Sequence, residues 1–593
     1  MSEPLSHIRN LVQLCRFRAT DTPEWAQHAY LRDGEAVARV LTCAQLDRAA
    51  RALAVQLARR VRPGARALLH YPPGLDFVIA FFGCLYAGVI AVPTAPVEGG
   101  QRAAAARARA VVRSATPELL LSTNDFLAGN TDGLEVAAGA PLTRMATDEV
   151  DPAAAEDWSA PSIEADTIAY LQYSSGSTGE PKGVVLTHGQ VLHNLSVIVG
   201  LLRPRPADTR LVSWLPMFHD MGLISGGLLP VYYGGRATLL APATFIRRPH
   251  RWLAAIGHDH VGELLGIARP AEADDVISVV PNFALELCVR RVDERRRAGL
   301  DLRPLRQLII GAEQVRPHTL ERFTAAFGPC GLRTEALQPC YGLAEATLLV
   351  SGGPAGEPPH VTEFAEPAAR PLVGCGEVRP GLRVLIADPE SLRPRAPGEV
   401  GEILVSGPSV ASGYWNAPAA TAGTFDAVPP GETESFLRTG DLGTFVAGQL
   451  FVTGRRKDLI VIDGVNHYPA DLETTVEQAE PAVRAGRCAV VSVDDGGREL
   501  VVVLAELAQR EEATVDDPVA AVRRALSARH GIAVHEVLLL RPGSLPFTSS
   551  GKLRRAECRA GYQDGRFERC RVAPPGRGDD PAGGRRAAEV VRP

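Results

Sequence analysis

The sequence predicts an α/β protein: a long domain of parallel sheets covered by helices, then a short α+β domain. Helical stretches such as Cys43 to Arg59 alternate with short apolar strands such as Arg66 to His70 and Leu308 to Ile310, the pattern of a helix-covered parallel sheet. A chain of 593 residues exceeds what one core holds. From Gly454 the pattern changes to short strands and two helices, and from about Arg566 it degrades into Arg-Gly-Pro-Asp sequence of the kind that stays disordered. The expected divisions are 1–455, 456–565 and a disordered tail, 566–593.

Within the long domain, the apolar run from Phe77 to Pro93 is about 16 residues, short of the roughly 20 a membrane helix needs. Gly83, Gly88 and Pro93 punctuate it, so it reads as a buried helix leading into a strand. Segment 97–114, rich in Ala and Arg, reads as a helix after a Pro-marked turn. A formal charge of −5 gives no reason to expect nucleic-acid binding. The ten cysteines form no C-x-x-C pair, which argues against a zinc site or disulfide framework and fits a reducing cytoplasm. The N-terminus lacks the apolar core of a signal peptide. The expectation is a cytoplasmic protein with no integral membrane segment.

Residues 170–183 carry the strongest chemical signal. Ser174, Ser175, Ser177 and Thr178 lie among Gly176 and Gly179, between apolar runs Ile168 to Leu171 and Val184 to Leu186. Glycines let the backbone approach an anion, and N–H groups with hydroxyls surround phosphate oxygens. Lys182 adds a compact positive charge. No Ser or Thr follows that lysine, so this is not a P-loop NTPase signature. A Ser/Gly linker is the competing reading, and flanking apolar strands argue against it.

The loop resembles the phosphate loop of the adenylate-forming superfamily, which includes acyl-CoA ligases, luciferases and peptide-synthetase adenylation domains. Further blocks follow in that family's order. Ser213-Trp-Leu-Pro-Met-Phe-His-Asp-Met-Gly222 is a turn entering a small-residue helix, and the resemblance implies that His219 lies beside the bound carboxylate. A buried histidine satisfied by backbone is the alternative. Pro281-Asn-Phe-Ala-Leu-Glu-Leu-Cys288 reads locally as a helix start capped by Asn282. It resembles a segment typical of one branch, the fatty acyl-AMP ligases. Residues 262–280, expected to line the acyl pocket, are unlike the usual approach to that segment.

Leu308-Ile-Ile-Gly311-Ala312-Glu313 is a strand end that in the family supports adenine. In Pro339-Cys-Tyr-Gly-Leu-Ala-Glu-Ala-Thr347, Tyr341 is suited to stack on adenine and Gly342 to let the backbone approach it. Glu345 is suited to hold Mg²⁺, with Thr178 as a second ligand, because that ion prefers oxygen and keeps waters beside phosphate. Asp441, in Arg438-Thr-Gly-Asp-Leu442, has the acceptor pair for two ribose hydroxyls. Arg455 matches the family arginine that meets ribose or phosphate, and Lys457 and Asp458 fall at the family hinge. Asn466-His-Tyr-Pro469 is again characteristic of the fatty acyl-AMP ligase branch, with Val465 where Arg is expected. Lys552, on a Thr-Ser-Ser-Gly-Lys turn, corresponds to a mobile lysine that contacts carboxylate and α-phosphate.

The resemblance spans about residues 10–565 and implies a large multi-sheet N-terminal adenylate-forming domain with a small mobile C-terminal domain. It implies ATP and Mg²⁺ as cofactors and attack of a fatty carboxylate on the α-phosphate, with pyrophosphate leaving. The catalytic residues would be Lys552, His219 and Lys182. The nucleotide would be held by Ser174, Ser175, Gly176, Ser177, Thr178, Gly179, Lys182, Gly311, Ala312, Glu313, Tyr341, Gly342, Asp441 and Arg455. The acyl acceptor would be the phosphopantetheine thiol of an acyl carrier protein acting in trans. A fatty acyl-CoA ligase, an enzyme for another carboxylic acid, and an inactive adenylate-binding module are the alternatives. The family's carrier-using branch has an inserted brace after the Tyr341 block. Here Ser351 to Pro371 is short and rich in Pro, which predicts a loop rather than a packed element and leaves CoA open as an acceptor.

Overall fold

The computed structural model describes residues 5, 7–97, 102–129, 133–139, 142–173, 181–206, 208–267, 275–364, 370–462, 465–495, 498–508, 518–547 and 553–568. The chain divides into two compact units. The first runs to Leu459 and takes in Phe547; the second holds Ile460–Pro546 and resumes at Leu553.

The first unit contains a nine-stranded and a six-stranded sheet. In the larger one, Ala26–Arg32, Arg236–Leu240, Thr209–Ser213, Asp275–Pro281, Leu305–Gly311 and Leu337–Gly342 lie side by side and parallel. Antiparallel strands close both edges, Ala36–Thr42 on one side and Leu349–Gly352 on the other, the latter followed by Glu377–Val378. In the smaller sheet Thr143–Ala146, Leu119–Ser122, Arg66–Leu69, Ile90–Pro93 and Ile168–Tyr173 are parallel, and Gly183–Thr187 runs back against the last. Arg66–Leu69, Leu119–Ser122 and Ile90–Pro93 are buried almost throughout. Helices cover both faces of a parallel sheet, so such strands read as short continuous apolar runs.

Local sequence explains where the flanking helices begin. Thr42 and Gln45 form a capping box at Cys43–Ala58, and Thr187 with Gln190 does the same at His188–Leu202. The Phe77 to Pro93 run is a buried helix, Asp76–Tyr86, feeding the strand Ile90–Pro93. A four-stranded antiparallel sheet, Arg383–Ala387, Gly401–Ser406, Leu437–Val446 and Gln449–Arg455, completes the scaffold of this unit.

Two local expectations are corrected. Asn282 is not a helix cap: Pro281 takes that position, with no side-chain cap bond. The Asn282 Oδ1 instead accepts from Arg316 N at 3.1 Å, and its Nδ2 reaches Thr319 Oγ1 at 3.4 Å. The stretch after the Tyr341 block is not a loose loop. Val361–Phe364 pairs antiparallel with Arg370–Val373, and Phe364 and His360 both lie against the ring of Phe451, with centroids at 5.3 and 5.8 Å. Proline marks the turn-rich part, but β-branched and aromatic residues flank it and have a ring to pack on.

The second unit has its own core. Val483–Asp495 and Arg498–Leu507 pair antiparallel, Val534–Leu540 joins in parallel, and Leu472, Val476, Val490, Val503 and Leu526 are buried together. Among the described residues it carries three helices, Pro469–Ala479, Pro518–His530 and Arg555–Gln563, where two were expected. The third begins just after residue 553 and is polar enough to escape notice, with Cys558 and Gly561 as its buried residues. The expected disordered tail lies, from residue 569 on, outside the described residues. Among the described residues no helix is long and apolar enough to cross a membrane.

Candidate functional site

The carboxyl ends of the parallel strands are where ligands of open α/β sheets gather, and the motif residues lie there. Ser213, Pro281, Gly311 and Gly342 each end a strand of the nine-stranded sheet. Beyond Gly311 the backbone turns sharply, with Ala312 at φ +66°, a conformation a non-glycine residue holds only under surrounding constraint. One constraint is Glu313, whose Oε1 accepts from Phe283 N at 2.5 Å and so ties two strand ends together.

Gly342 has a steric reason. A Cβ there would meet the Leu348 carbonyl oxygen at 1.7 Å, because the chain makes a short 3₁₀ turn over Ala344–Ala346 and doubles back at Thr347, φ +67°. The buried Asn194 holds this reversal: its Nδ2 donates to Leu349 O at 2.9 Å and its Oδ1 accepts from Leu349 N at 3.1 Å. Glu345 therefore stands on a rigid corner.

A loop absent from the motif set meets that corner. Ser412 N donates to Val185 O, Val185 N to Gly413 O and Trp415 N to Gly183 O, at 3.1, 2.9 and 2.7 Å, while Ala411 N donates to Glu345 O at 2.8 Å. The 411–415 loop thus joins the Gly183–Thr187 strand to the Glu345 turn. It brings the Tyr414 hydroxyl to Glu345 Oε1 at 2.9 Å and its ring under Lys182, with Nζ 4.9 Å from the centroid, a cation–π distance. Burial pushes the Glu345 carboxyl above the ordinary glutamate range, against the opposing effect of the Tyr414 hydrogen bond; the more distant charges of Arg455 and Asp220 also act on it.

The second group sits on the four-stranded sheet. Asp441 and Arg455 are cross-strand partners, and Arg455 Nε lies 2.9 Å from Asp441 Oδ1. Tyr341 donates its hydroxyl to Asp441 Oδ2 at 2.9 Å. Burial, then the Asp441 charge, raise the Tyr341 pKa and keep the phenol a donor. The Asp441 charge in turn raises the Arg455 pKa. A carboxylate offers about four lone-pair sites, so Asp441 retains acceptors for further hydroxyls. Lys457 and Asp458 follow in a 3₁₀ turn over Arg456–Asp458.

His219 is half-buried, and its Nδ1 meets Asp220 Oδ1. Gln172, next to the end of the strand Ile168–Tyr173, donates to Phe218 O at 3.1 Å and so ties this segment to the six-stranded sheet. The expected turn and small-residue helix are present, with a π-helix over Leu223–Leu228, a form frequent at functional sites. Behind it, Trp214 stacks on Phe245 with centroids 3.9 Å apart and meets Phe283 edge-on at 6.0 Å.

The structure thus brings together Lys182, Glu345 and Tyr414 in one cluster and Tyr341, Asp441 and Arg455 in another. Ser174, Ser175, Gly176, Ser177, Thr178, Gly179 and Lys552 lie outside the described residues. Sequence reasoning missed Tyr414, Gln172 and Asn194. A Tyr after Ser-Gly in a region without periodicity was the one signal for Tyr414.

Comparison with known proteins places the chain in a family. A model of the AMP-binding enzyme family matches residues 18–415, and one described as the Disco-interacting protein 2-like AMP domain matches residues 457–571. The medium-chain-fatty-acid–[acyl-carrier-protein] ligase JamA of Moorena producens is 38% identical over 96% of this chain and 97% of its own. The long-chain-fatty-acid–AMP ligase FadD32 of Mycolicibacterium smegmatis is 36% identical over 91% of each. The crystal structure of a fatty acid AMP ligase from Legionella pneumophila superimposes with a TM-score of 0.72 at 34% identity, covering 97% of this chain and 99% of that one. The fatty acyl-adenylate ligase of the same organism, solved with acyl adenylate and pyrophosphate, gives 0.71 at 34% identity over 95% and 98%. The chain belongs to the AMP-binding enzyme family, in its fatty acyl-AMP ligase branch.

Proposed function

We propose that this enzyme activates a fatty acid with ATP, forming an enzyme-bound acyl-adenylate and pyrophosphate, and passes the acyl group to the phosphopantetheine thiol of an acyl carrier protein. The observation that carries the first step is the pair of clusters at the strand ends: Lys182, Glu345 and Tyr414 in one, Tyr341, Asp441 and Arg455 in the other. Asp441 would take the ribose hydroxyls, with Arg455 beside it, and the Tyr341 ring would take the adenine with Gly311, Ala312 and Glu313. His219 would orient the fatty carboxylate. Lys182, the 174–179 loop and Lys552 would neutralise phosphate oxygens. Such catalysis is positioning plus electrostatic stabilisation, with little covalent work by the protein.

Glu345 suits Mg²⁺. It supplies an anionic oxygen whose charge is otherwise disfavoured by burial, and a single carboxylate is enough because this ion keeps waters and phosphate oxygens. Bound there with Thr178, Mg²⁺ would offset negative charge on the phosphates. Lys457 and Asp458 would form the hinge, with domains divided near 455.

The carrier as acceptor is supported by the Asn282 and Asn466 motif blocks and by JamA, named as an acyl-carrier-protein ligase. The hairpin Val361–Phe364 and Arg370–Val373 removes the compositional argument for CoA, because it packs on Phe451 rather than hanging loose. The test mixes enzyme, ATP, Mg²⁺ and a panel of fatty acids with CoA or with holo carrier protein at matched thiol concentration. Acyl-carrier should form faster; acyl-CoA formed at least as fast would overturn the carrier reading.

A further inference from the structure

One face of the first unit is strongly basic although the chain carries a net charge of −5. Arg247 and Arg248 close the helix Pro242–Arg247. Arg290 and Arg291 end the helix Asn282–Arg291, and Arg295 and Arg296 follow on Glu294–Arg297. These segments adjoin, because Arg291 Nη1 donates to Ile246 O at 2.7 Å. The charges of Arg296, Arg251 and Arg248 also converge on His250, whose pKa is lowered first by burial and then by those three.

Some of them are answered, Arg290 included, and Asp293 and Glu294 stand in the same stretch. Arg251 pairs with Glu35 at 3.2 Å and Arg296 with Asp293 at 3.5 Å. Among the described residues no carboxylate pairs with Arg247, Arg248 or Arg295, and all three are exposed. In their midst Ile246 is 41% exposed. The neighbouring Phe245 points inward, fully buried, onto Trp214 and Trp252. That aromatic cluster runs from beneath the basic face to the segment bearing His219.

We propose that this face docks on a bilayer surface carrying anionic headgroups. Guanidinium groups match phosphate in geometry and are weakly hydrated, and long arginine stems let the charge reach headgroups while apolar atoms sink between them. Ile246 supplies an apolar contact at the centre. The occupant follows from charge complementarity and from the substrate: a fatty acid partitions into bilayers, and the aromatic cluster connects this face to the carboxylate-binding segment. The origin of the substrate rests on the proposed function; the docking itself does not.

The test is vesicle flotation of the full chain, with phosphatidylcholine alone or with phosphatidylglycerol added, at low and high salt. Wild type should float only with the anionic vesicles and lose binding as salt rises. Arg247→Glu combined with Arg248→Glu should weaken partitioning at least about 20-fold, since each basic residue near such a surface is worth roughly fivefold. Adenylate formation from a short fatty acid free in solution should be unchanged in that variant. Equal binding to both vesicle types, no binding, or a variant that floats like wild type would overturn the proposal. So would loss of acyl transfer to holo carrier protein with vesicle binding intact, which would make the face a protein-docking surface. Vesicle binding without any adenylate activity in wild type would keep the docking and remove the fatty-acid reading instead.

Discussion

The Asp441 cluster and the Glu345 cluster solve opposite problems. Asp441 is a buried carboxylate already compensated: Arg455 faces it across a β ladder, and Tyr341 donates to its other oxygen. Glu345 stands on a turn and receives one phenol hydrogen bond from Tyr414, while burial disfavours its charge. The first is a finished acceptor, set before any ligand arrives. The second is a carboxylate whose charge burial disfavours, and under the proposed function a cation would offset that. A preformed site gives binding; an undercompensated one gives a requirement for the ion that completes it.

Glu345→Gln separates the two most sharply. It keeps an acceptor for Tyr414 but removes the charge, so acyl-adenylate formation at limiting Mg²⁺ should fall about 10²–10³-fold, with a Mg²⁺ titration displaced upward and ATP affinity little changed. Asp441→Asn should do the reverse. Losing hydrogen bonds to a charged group costs about 1.5–3 kcal/mol, so KM for ATP should rise about 10–100-fold with the Mg²⁺ requirement unaltered. Identical ATP and Mg²⁺ titrations in both variants would sink the division of labour.

Tyr414→Phe is milder. The ring under Lys182 remains and one hydrogen bond to Glu345 goes, a loss of about 2- to 10-fold in adenylate formation. A deficit as large as that of Glu345→Gln would show that Tyr414 does more than orient the carboxylate.

The smallest effect is on stability. Because the folded protein holds the Glu345 proton more tightly than the unfolded chain does, stability falls as pH rises from the ordinary glutamate value through the raised one, and stays lower above it. Without ligands, Glu345→Gln should flatten that slope and melt no lower than wild type at neutral pH; thermal melts across pH read this directly. If Glu345 holds the cation as proposed, wild-type activity should decline as pH falls in the same window, because the protonated carboxyl would lose that ligand.

Much of this was legible in the sequence where function is written into short contiguous blocks. Tyr341, Gly342 and Glu345 lie within one strand-and-turn, and Asp441 sits in a Thr-Gly-Asp run whose partner Arg455 is the next strand's match. The glycine at 342 was expected to admit adenine; the backbone oxygen of Leu348 already requires it. What escaped was long-range. Tyr414 reaches Glu345 only because the 411–415 loop bonds to the Gly183–Thr187 strand, a pairing that no local pattern encodes. The hairpin after the Tyr341 block escaped for the same reason: Phe364 and His360 have no partner until Phe451 arrives from the four-stranded sheet. Asn282 was misread because an Asn before an apolar run is a fair cap signal, and its actual bonds go to the Arg316–Thr319 segment.

The central claim is that Glu345 belongs to the cation and phosphate end of an adenylate-forming site. It is tested most directly by quantifying acyl-AMP and pyrophosphate from ATP and a fatty acid over a Mg²⁺ titration, for wild type and Glu345→Gln side by side. The account predicts Mg²⁺-dependent adenylate from wild type and a curve for the variant that is displaced and lowered about 10²-fold or more. Superimposable curves, or no adenylate from wild type at any Mg²⁺ concentration, would contradict it.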